Sequence, residues 1–178
     1  TMLLSIVSVV DFSAYADVET GRLGSNVTYS LDTSTGLLTI SGTGAMYNYT
    51  MTMTSSGSNC SSPFYNNRQI KRVIIESGVT SVGNYAFCAC MNLMSVAIPD
   101  SMINIGDSAF AAYGLSKVDY NGTVFQWKTR KIGSGNDKLK NAIIICTDDV
   151  IGNGNTVTID NLKYKINNDY TASLVGYT

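Results

Sequence analysis

Three short stretches with apolar residues at their first and third positions recur along the chain at one spacing. Val73-Ile74-Ile75, Val96-Ala97-Ile98 and Val118-Asp119-Tyr120 begin 23 and then 22 residues apart. The first two run into the same succession: paired apolar positions (Val79 and Val82; Met102 and Ile105), a glycine (Gly83; Gly106) and an Ala-Phe pair (Ala86-Phe87; Ala109-Phe110). Leu93 and Leu115 follow at matching places. A fixed period in the twenties marks a stacked array in which each unit buries its apolar face against its neighbours. Successive side chains on a strand point to opposite faces, so Val73, Ile75, Val96, Ile98, Val118 and Tyr120 are expected to face inward. Arg72, Ile74, Glu76, Ser95, Ala97, Lys117 and Asp119 then line the open face. Gly83 and Gly106 are expected to hold tight backbone conformations that a Cβ would hinder.

The pattern changes on both sides of these units. Asn26 to Leu31 alternates as a strand, Asp32 to Gly36 is a cluster of turn residues, and Leu37 to Ser41 is the return strand of a hairpin. Residues 47–63 are rich in Ser, Thr and Asn and read as a polar loop. The third unit departs from the repeat. Asn121-Gly122-Thr123 turns into Val124 to Lys128, 132–136 is rich in Gly and Ser, and Ala142 to Cys146 supplies a last apolar strand. Atypical sequence suits a terminal unit, which must cover the end of a stack. Trp127, the single tryptophan, is the candidate lid. Asn161-Leu162-Lys163-Tyr164-Lys165-Ile166-Asn167 echoes the first strand of the hairpin, and Ala172 to Gly176 echoes its second. The chain thus starts a further hairpin, as a fragment or N-terminal portion of a longer array would. The expected organisation is a signal remnant at 1–16, a hairpin flank and loop at 17–69, repeat units at 70–147, and the start of another hairpin segment at 148–178.

The N-terminal run Met2 to Val10 followed by Ala14-Tyr15-Ala16 has the apolar core and small-x-small cleavage site of an export signal. A buried strand is the alternative for so short a run. It falls short of the roughly 20 apolar residues a bilayer span needs, so no membrane insertion is expected. The charge balance, Lys+Arg 12 against Asp+Glu 13 and scattered, leaves no basic surface for nucleic acid. Cys88 and Cys90 are too close in sequence for an unstrained bridge and read as buried thiols, while pairing of Cys60 with Cys146 stays open.

Candidate chemistry is sparse. The chain has no histidine, which removes Ser-His-Asp and Cys-His arrangements and HExxH zinc sites. Cys88-x-Cys90 lacks zinc-ribbon spacing. Gly42-Thr43-Gly44 and Gly133-Ser134-Gly135 are too short for a phosphate loop, and Asp148-Asp149 and Asn167-Asn168-Asp169 do not follow the order of a calcium loop. No cofactor and no metal are expected. Glu76 and Asp119 form the one carboxylate pair to examine, because two strand spacings of about 4.8 Å bring their backbones within about 10 Å. Tyrosine is abundant, at 11 residues, and Tyr47, Tyr49, Phe64 and Tyr65 crowd the polar loop. Exposed tyrosine suits protein recognition and sugar stacking, whereas buried tyrosine would pack the loop onto the first unit.

The segment Ile75 through Gly78-Val79, Val82-Gly83 and Ala86-Phe87 to Leu93, with its echo from Ile98-Pro99 to Ala109-Phe110, resembles the BspA-like leucine-rich repeats of bacterial surface proteins. Leu38-Thr39-Ile40-Ser41-Gly42-Thr43-Gly44-Ala45-Met46 and Asn121-Gly122-Thr123 with Gln126-Trp127 match as well. Ala112-Tyr113-Gly114 departs from the pattern where Cys90-Met91-Asn92 stands in the preceding unit. The resemblance covers residues 24–178. It implies a mainly β chain with short irregular or helical turns: a right-handed leucine-rich repeat solenoid with hairpin flanks, on a secreted or cell-surface protein. It implies adhesion and protein recognition rather than catalysis, with host matrix or other surface proteins as partners. A structural spacer in a larger envelope protein and a glycan-binding module are the alternatives. The ligand-contact residues expected are Arg72, Ile74, Glu76, Ser95, Ala97, Lys117 and Asp119 on the open face, with Tyr47, Tyr49 and Tyr65 on the loop.

Overall fold

A computed structural model describes residues 17–55, 57–152, 156–159, 162–166 and 172–177. The N-terminal flank is an antiparallel meander of β1 (Val18–Arg22), β2 (Val27–Asp32) and β3 (Leu37–Gly42). Alternation does its work here: Val27, Leu31, Leu38 and Ile40 are fully buried, and the residues between them are not. The β2–β3 turn closes on Asp32, whose Oδ1 accepts from the Ser34 N–H (2.9 Å), the Ser34 hydroxyl (2.6 Å) and the Thr35 N–H (3.2 Å). Gly36 supplies the left-handed residue at φ 77°.

β4 (Gly44–Ala45) follows, then a small hairpin of β5 (Met51–Thr54) and β6 (Gly57–Cys60). The stretch expected to be a polar loop therefore contains a strand pair. Met51 and Met53 alternate with Thr52 and Thr54, a signal hidden among so many serines and threonines. Beyond it lie β7 (Arg72–Ile75), β8 (Val79–Val82), β9 (Ser95–Pro99), β10 (Asn104–Ile105), β11 (Lys117–Asn121), α1 (Val124–Lys128), β12 (Lys131–Ile132), α2 (Asp137–Lys140), β13 (Ile143–Ile145) and β14 (Val150–Ile151). The last described strands, β15 (Thr156–Ile159), β16 (Leu162–Ile166) and β17 (Ala172–Tyr177), pair antiparallel in sequence order, as β1, β2 and β3 do. The expected signal remnant and the Asn167-Asn168-Asp169 cluster lie outside the described residues.

Two parallel ladders organise the units. β3, β7, β9, β11 and β13 lie side by side and parallel in an eight-stranded sheet that β1, β2 and β14 extend at its ends. β4, β8, β10 and β12 form a second parallel sheet. The inward positions read from alternation hold: Val73, Val96 and Val118 are 0% exposed, and Ile75, Ile98 and Tyr120 are also buried. In the core, Phe64, Phe87 and Phe110 stack with ring centroids 5.5 Å and 5.0 Å apart, and Tyr29 abuts Phe64 edge-on at 4.9 Å. At the other end Trp127 of α1 packs on Tyr120 at 5.2 Å. A reciprocal Thr123–Gln126 capping box starts that helix.

Gly83 and Gly106 owe their identity to crowding and not to an unusual φ. A Cβ on Gly83 would lie 1.7 Å from the Tyr47 carbonyl oxygen, and one on Gly106 2.6 Å from the Asn84 nitrogen. That approach seats a ladder of side chains. Asn48 Oδ1 accepts from the Asn84 N–H (3.0 Å), Asn84 Oδ1 from Asp107 (2.8 Å), and Asp107 Oδ1 from Ser134 (2.7 Å). In the turns the main chains pair between units, Phe87 N–H donating to Ala109 O at 2.7 Å. In the longer third unit a side chain takes over: Asn136, fully buried, accepts from the Phe110 N–H (2.9 Å) and donates to Gly106 O (2.8 Å) and Gly133 O (3.0 Å).

All four cysteines are free thiols and buried, Cys60 and Cys146 included. Cys90 donates to Phe64 O at 3.1 Å, and burial pushes its thiol up to about 12.

Candidate recognition surface

Register sets the chemistry of the open sheet face. Arg72, Ser95 and Lys117 stand in one row across β7, β9 and β11, and Ile74, Ala97 and Asp119 in the next. Arg72, Glu76 and Lys117 are exposed, while Ile74, Ser95, Ala97 and Asp119 are half-buried. The six strand residues among them are thus brought to one face, as the alternation implied, and Glu76 lies just past the end of β7. Asp119 lies 2.8 Å from Lys117 and 3.8 Å from Arg72, so its carboxylate is held between two cations. Glu76 falls two residues beyond Ile74, out of register with Asp119. That offset widens their backbone separation to about 12 Å. The carboxylates singled out from the sequence stand in different rows, and Asp119 is engaged by Lys117 and Arg72.

A shallow groove of ≈340 Å³ crosses this face where the parallel strands end, lined by Ala97, Pro99, Asp119, Asn121, Ile145 and Thr147 among others. Ala97 and Asp119 were expected there. Ile145 and Thr147 were not, although carrying the row of Ile74, Ala97 and Asp119 one strand further reaches Ile145. At the opposite end the face continues onto the flanking meander, where Thr20, Thr28, Ser30 and Ser41 line a second depression of ≈450 Å³ with Arg22. The hairpin reads from sequence as a flank, and only its pairing with β7 shows that it extends the same surface.

The three loop tyrosines part company. Tyr47 is 50% exposed. Tyr65 is half-buried, its hydroxyl 2.8 Å from Ser58 Oγ and 3.1 Å from Ser58 O. Tyr49 is a correction: at 8% exposed it belongs to the core and cannot contact a ligand. Its hydroxyl has no hydrogen-bond partner among the described residues, and burial, with Tyr29, Tyr47 and Cys60 nearby, pushes it up to about 12. The segment between β4 and β5 lies against the first unit, Tyr49 N–H donating to Asn84 O at 3.1 Å, and carries the ring inward. Among the described residues no cluster of three or more acidic, cysteine or histidine side chains could hold a metal ion, and no helix is long and apolar enough to cross a membrane.

Two solved structures are similar. A leucine-rich repeat protein from Eubacterium ventriosum shares 21% identity at a TM-score of 0.45, over 83% of this chain and 48% of that one. A leucine rich cell surface protein from Faecalibacterium prausnitzii shares 16% at 0.32, over 89% of this chain and 61% of that one. The chain spans about half the length of the first and under two thirds of the second. No curated protein matches. The model of the BspA type leucine rich repeat region matches residues 49–166 in six copies, well over half the sequence, and the chain belongs to that family.

Proposed function

We propose that this chain is a non-catalytic protein-recognition module that serves adhesion on an exported, cell-surface or secreted protein. The observation that carries the reading is the open sheet face. It runs without interruption from β1 to β14, and both its cations and its aliphatic side chains are available to a partner. Arg72, Ile74, Glu76, Ser95, Ala97, Lys117 and Asp119 are its contact residues, with the exposed Tyr47 as a further one; Tyr65 lies on the turn side of the units, away from this face. Mixed charge and half-buried aliphatics suit a protein partner, because apolar contacts supply affinity while charge fixes register and encounter rate. In this reading the units wind as a right-handed solenoid, with 17–69 as flank, 70–147 as repeat units and 148–178 as the start of a further hairpin segment.

A structural spacer is the second reading, favoured by the burial of Tyr49, Phe64, Phe87, Phe110, Tyr120 and Trp127 inside the stack. Binding to an array of extracellular matrix proteins, with an Ile74→Asp/Lys117→Glu variant alongside, separates the two. Recognition through the face gives a hit that weakens at least about 30-fold in the variant, as loss of central interface residues does. No hit with a folded protein leaves the spacer.

A further inference from the structure

We infer that a second groove, on the turn side of the units and separate from the open sheet face, binds a neutral glycan. Its volume is ≈350 Å³, within the range of small-ligand sites. Ala89, Ala111 and Gly135 line it from three successive units, and none carries more than a methyl group, which leaves a trough along the stack. Tyr65 and Tyr113 lie along the same trough. The Tyr65 ring is held in place by its bonds to Ser58, while Tyr113 is 70% exposed and presents its ring to solvent. Tyr113 belongs to the Ala112-Tyr113-Gly114 departure from the repeat pattern, so the repeat itself does not account for it.

The main chain here has little to offer an extended peptide. Cys88 N–H donates to Tyr85 O (3.2 Å), Ala89 N–H to Ala111 O (3.0 Å) and Ala111 N–H to Ser108 O (3.2 Å). With these donors spent inside the array, strand addition has no ladder to join, and recognition falls to side chains. A pyranose matches what remains. Its C–H face lies on an aromatic ring, and its hydroxyls both donate and accept. Asp137 and Lys138, both exposed at the groove, supply one acceptor and one donor group, and neither has an ion-pair partner among the described residues. Their opposite charges leave the rim neutral, which suits an uncharged sugar and gives no advantage to a sialylated or sulfated one.

Saturation-transfer NMR on the whole chain tests this with four probes: maltotriose, cellotriose, chitotriose and sialyllactose. At least one neutral trisaccharide is expected to give saturable transfer, and sialyllactose none. Tyr113→Ala, exposed enough to fold normally, should weaken binding about tenfold, the effect of losing roughly 1.4 kcal/mol of stacking. Ala111→Leu, which fills the trough, should abolish it, and Ile103→Ala, exposed and outside the lining of both grooves, should leave it unchanged. The assignment is overturned if no neutral probe gives saturable transfer, if sialyllactose is preferred, or if Tyr113→Ala and Ala111→Leu proteins of native melting temperature bind as the wild type does.

Discussion

Phe87 is 0% exposed and lies between Phe64, 5.5 Å away and 7° from coplanar, and Phe110, 5.0 Å and 22° away. Truncation to alanine leaves a cavity in the middle of the stack and removes two ring neighbours at once. Core Phe→Ala changes cost about 3–5 kcal/mol, and aromatic pairs carry about 0.5–1.5 kcal/mol beyond their area. Phe87→Ala should therefore fall at the upper end, about 4–5 kcal/mol. Phe110→Ala loses one ring pair and should cost about 3–4 kcal/mol. Either loss is a large part of the 5–15 kcal/mol that holds an ordinary domain together. Urea unfolding followed by far-UV circular dichroism and by Trp127 fluorescence reads both the size and the spread of the damage. Trp127 sits in the third unit, so a dichroism transition that shifts ahead of the fluorescence would show neighbouring units separating, as nearest-neighbour coupling implies. A Phe87–Phe110 double-mutant cycle should return a coupling of about 0.5–1.5 kcal/mol. The reasoning fails if Phe87→Ala stays within about 1 kcal/mol of wild type, or if the cycle shows no coupling.

Asn136→Ala strands the Phe110 N–H in the interior and leaves the Gly106 carbonyl only its long bond from the Ala109 N–H at 3.4 Å. It should cost about 1–3 kcal/mol by chemical denaturation, the cost of one unsatisfied buried group. Gly83→Ala drives a Cβ into the Tyr47 carbonyl and should destabilise by about 3 kcal/mol, read as a fall in melting temperature. The Ser34 hydroxyl first, and then Thr35, hold the Asp32 carboxyl down to about 2 from 3.8. Because the folded value is the depressed one, the stabilisation is present above about pH 4 and is lost as pH falls toward 2. Asp32→Asn should lower the melting temperature near pH 7 and flatten its fall between about pH 4 and 2, so that the two proteins converge at low pH.

The parallel strands were legible because their apolar positions recur with a period that only one pairing satisfies. Val73, Val96 and Val118 place the ladder, and alternation then assigns Arg72, Ser95 and Lys117 to the other face. What the period cannot show is a substitution of kind. Asn136 fills a main-chain role in a longer unit, and nothing in a Gly/Ser-rich stretch marks it as buried. Gly83 and Gly106 were recognised as constrained, but the constraint is the neighbouring chain at Tyr47 and Asn84, which is visible only once the units are stacked. Tyr49 was misplaced because a tyrosine in a polar loop carries no sign of which way the chain turns. Met51 to Thr54 was read as loop because strands built from Met and Thr have too little contrast to register.

The central claim is that the open sheet face does the recognising, and one titration decides it. Biolayer interferometry against the strongest matrix-protein hit would compare the wild type, Ile74→Asp/Lys117→Glu on the face, and Met53→Ala/Ile103→Ala at exposed positions away from it. The account expects the face variant to lose at least about 30-fold in affinity and the off-face variant to bind as the wild type does. A face variant that binds normally while the off-face variant loses binding would contradict it.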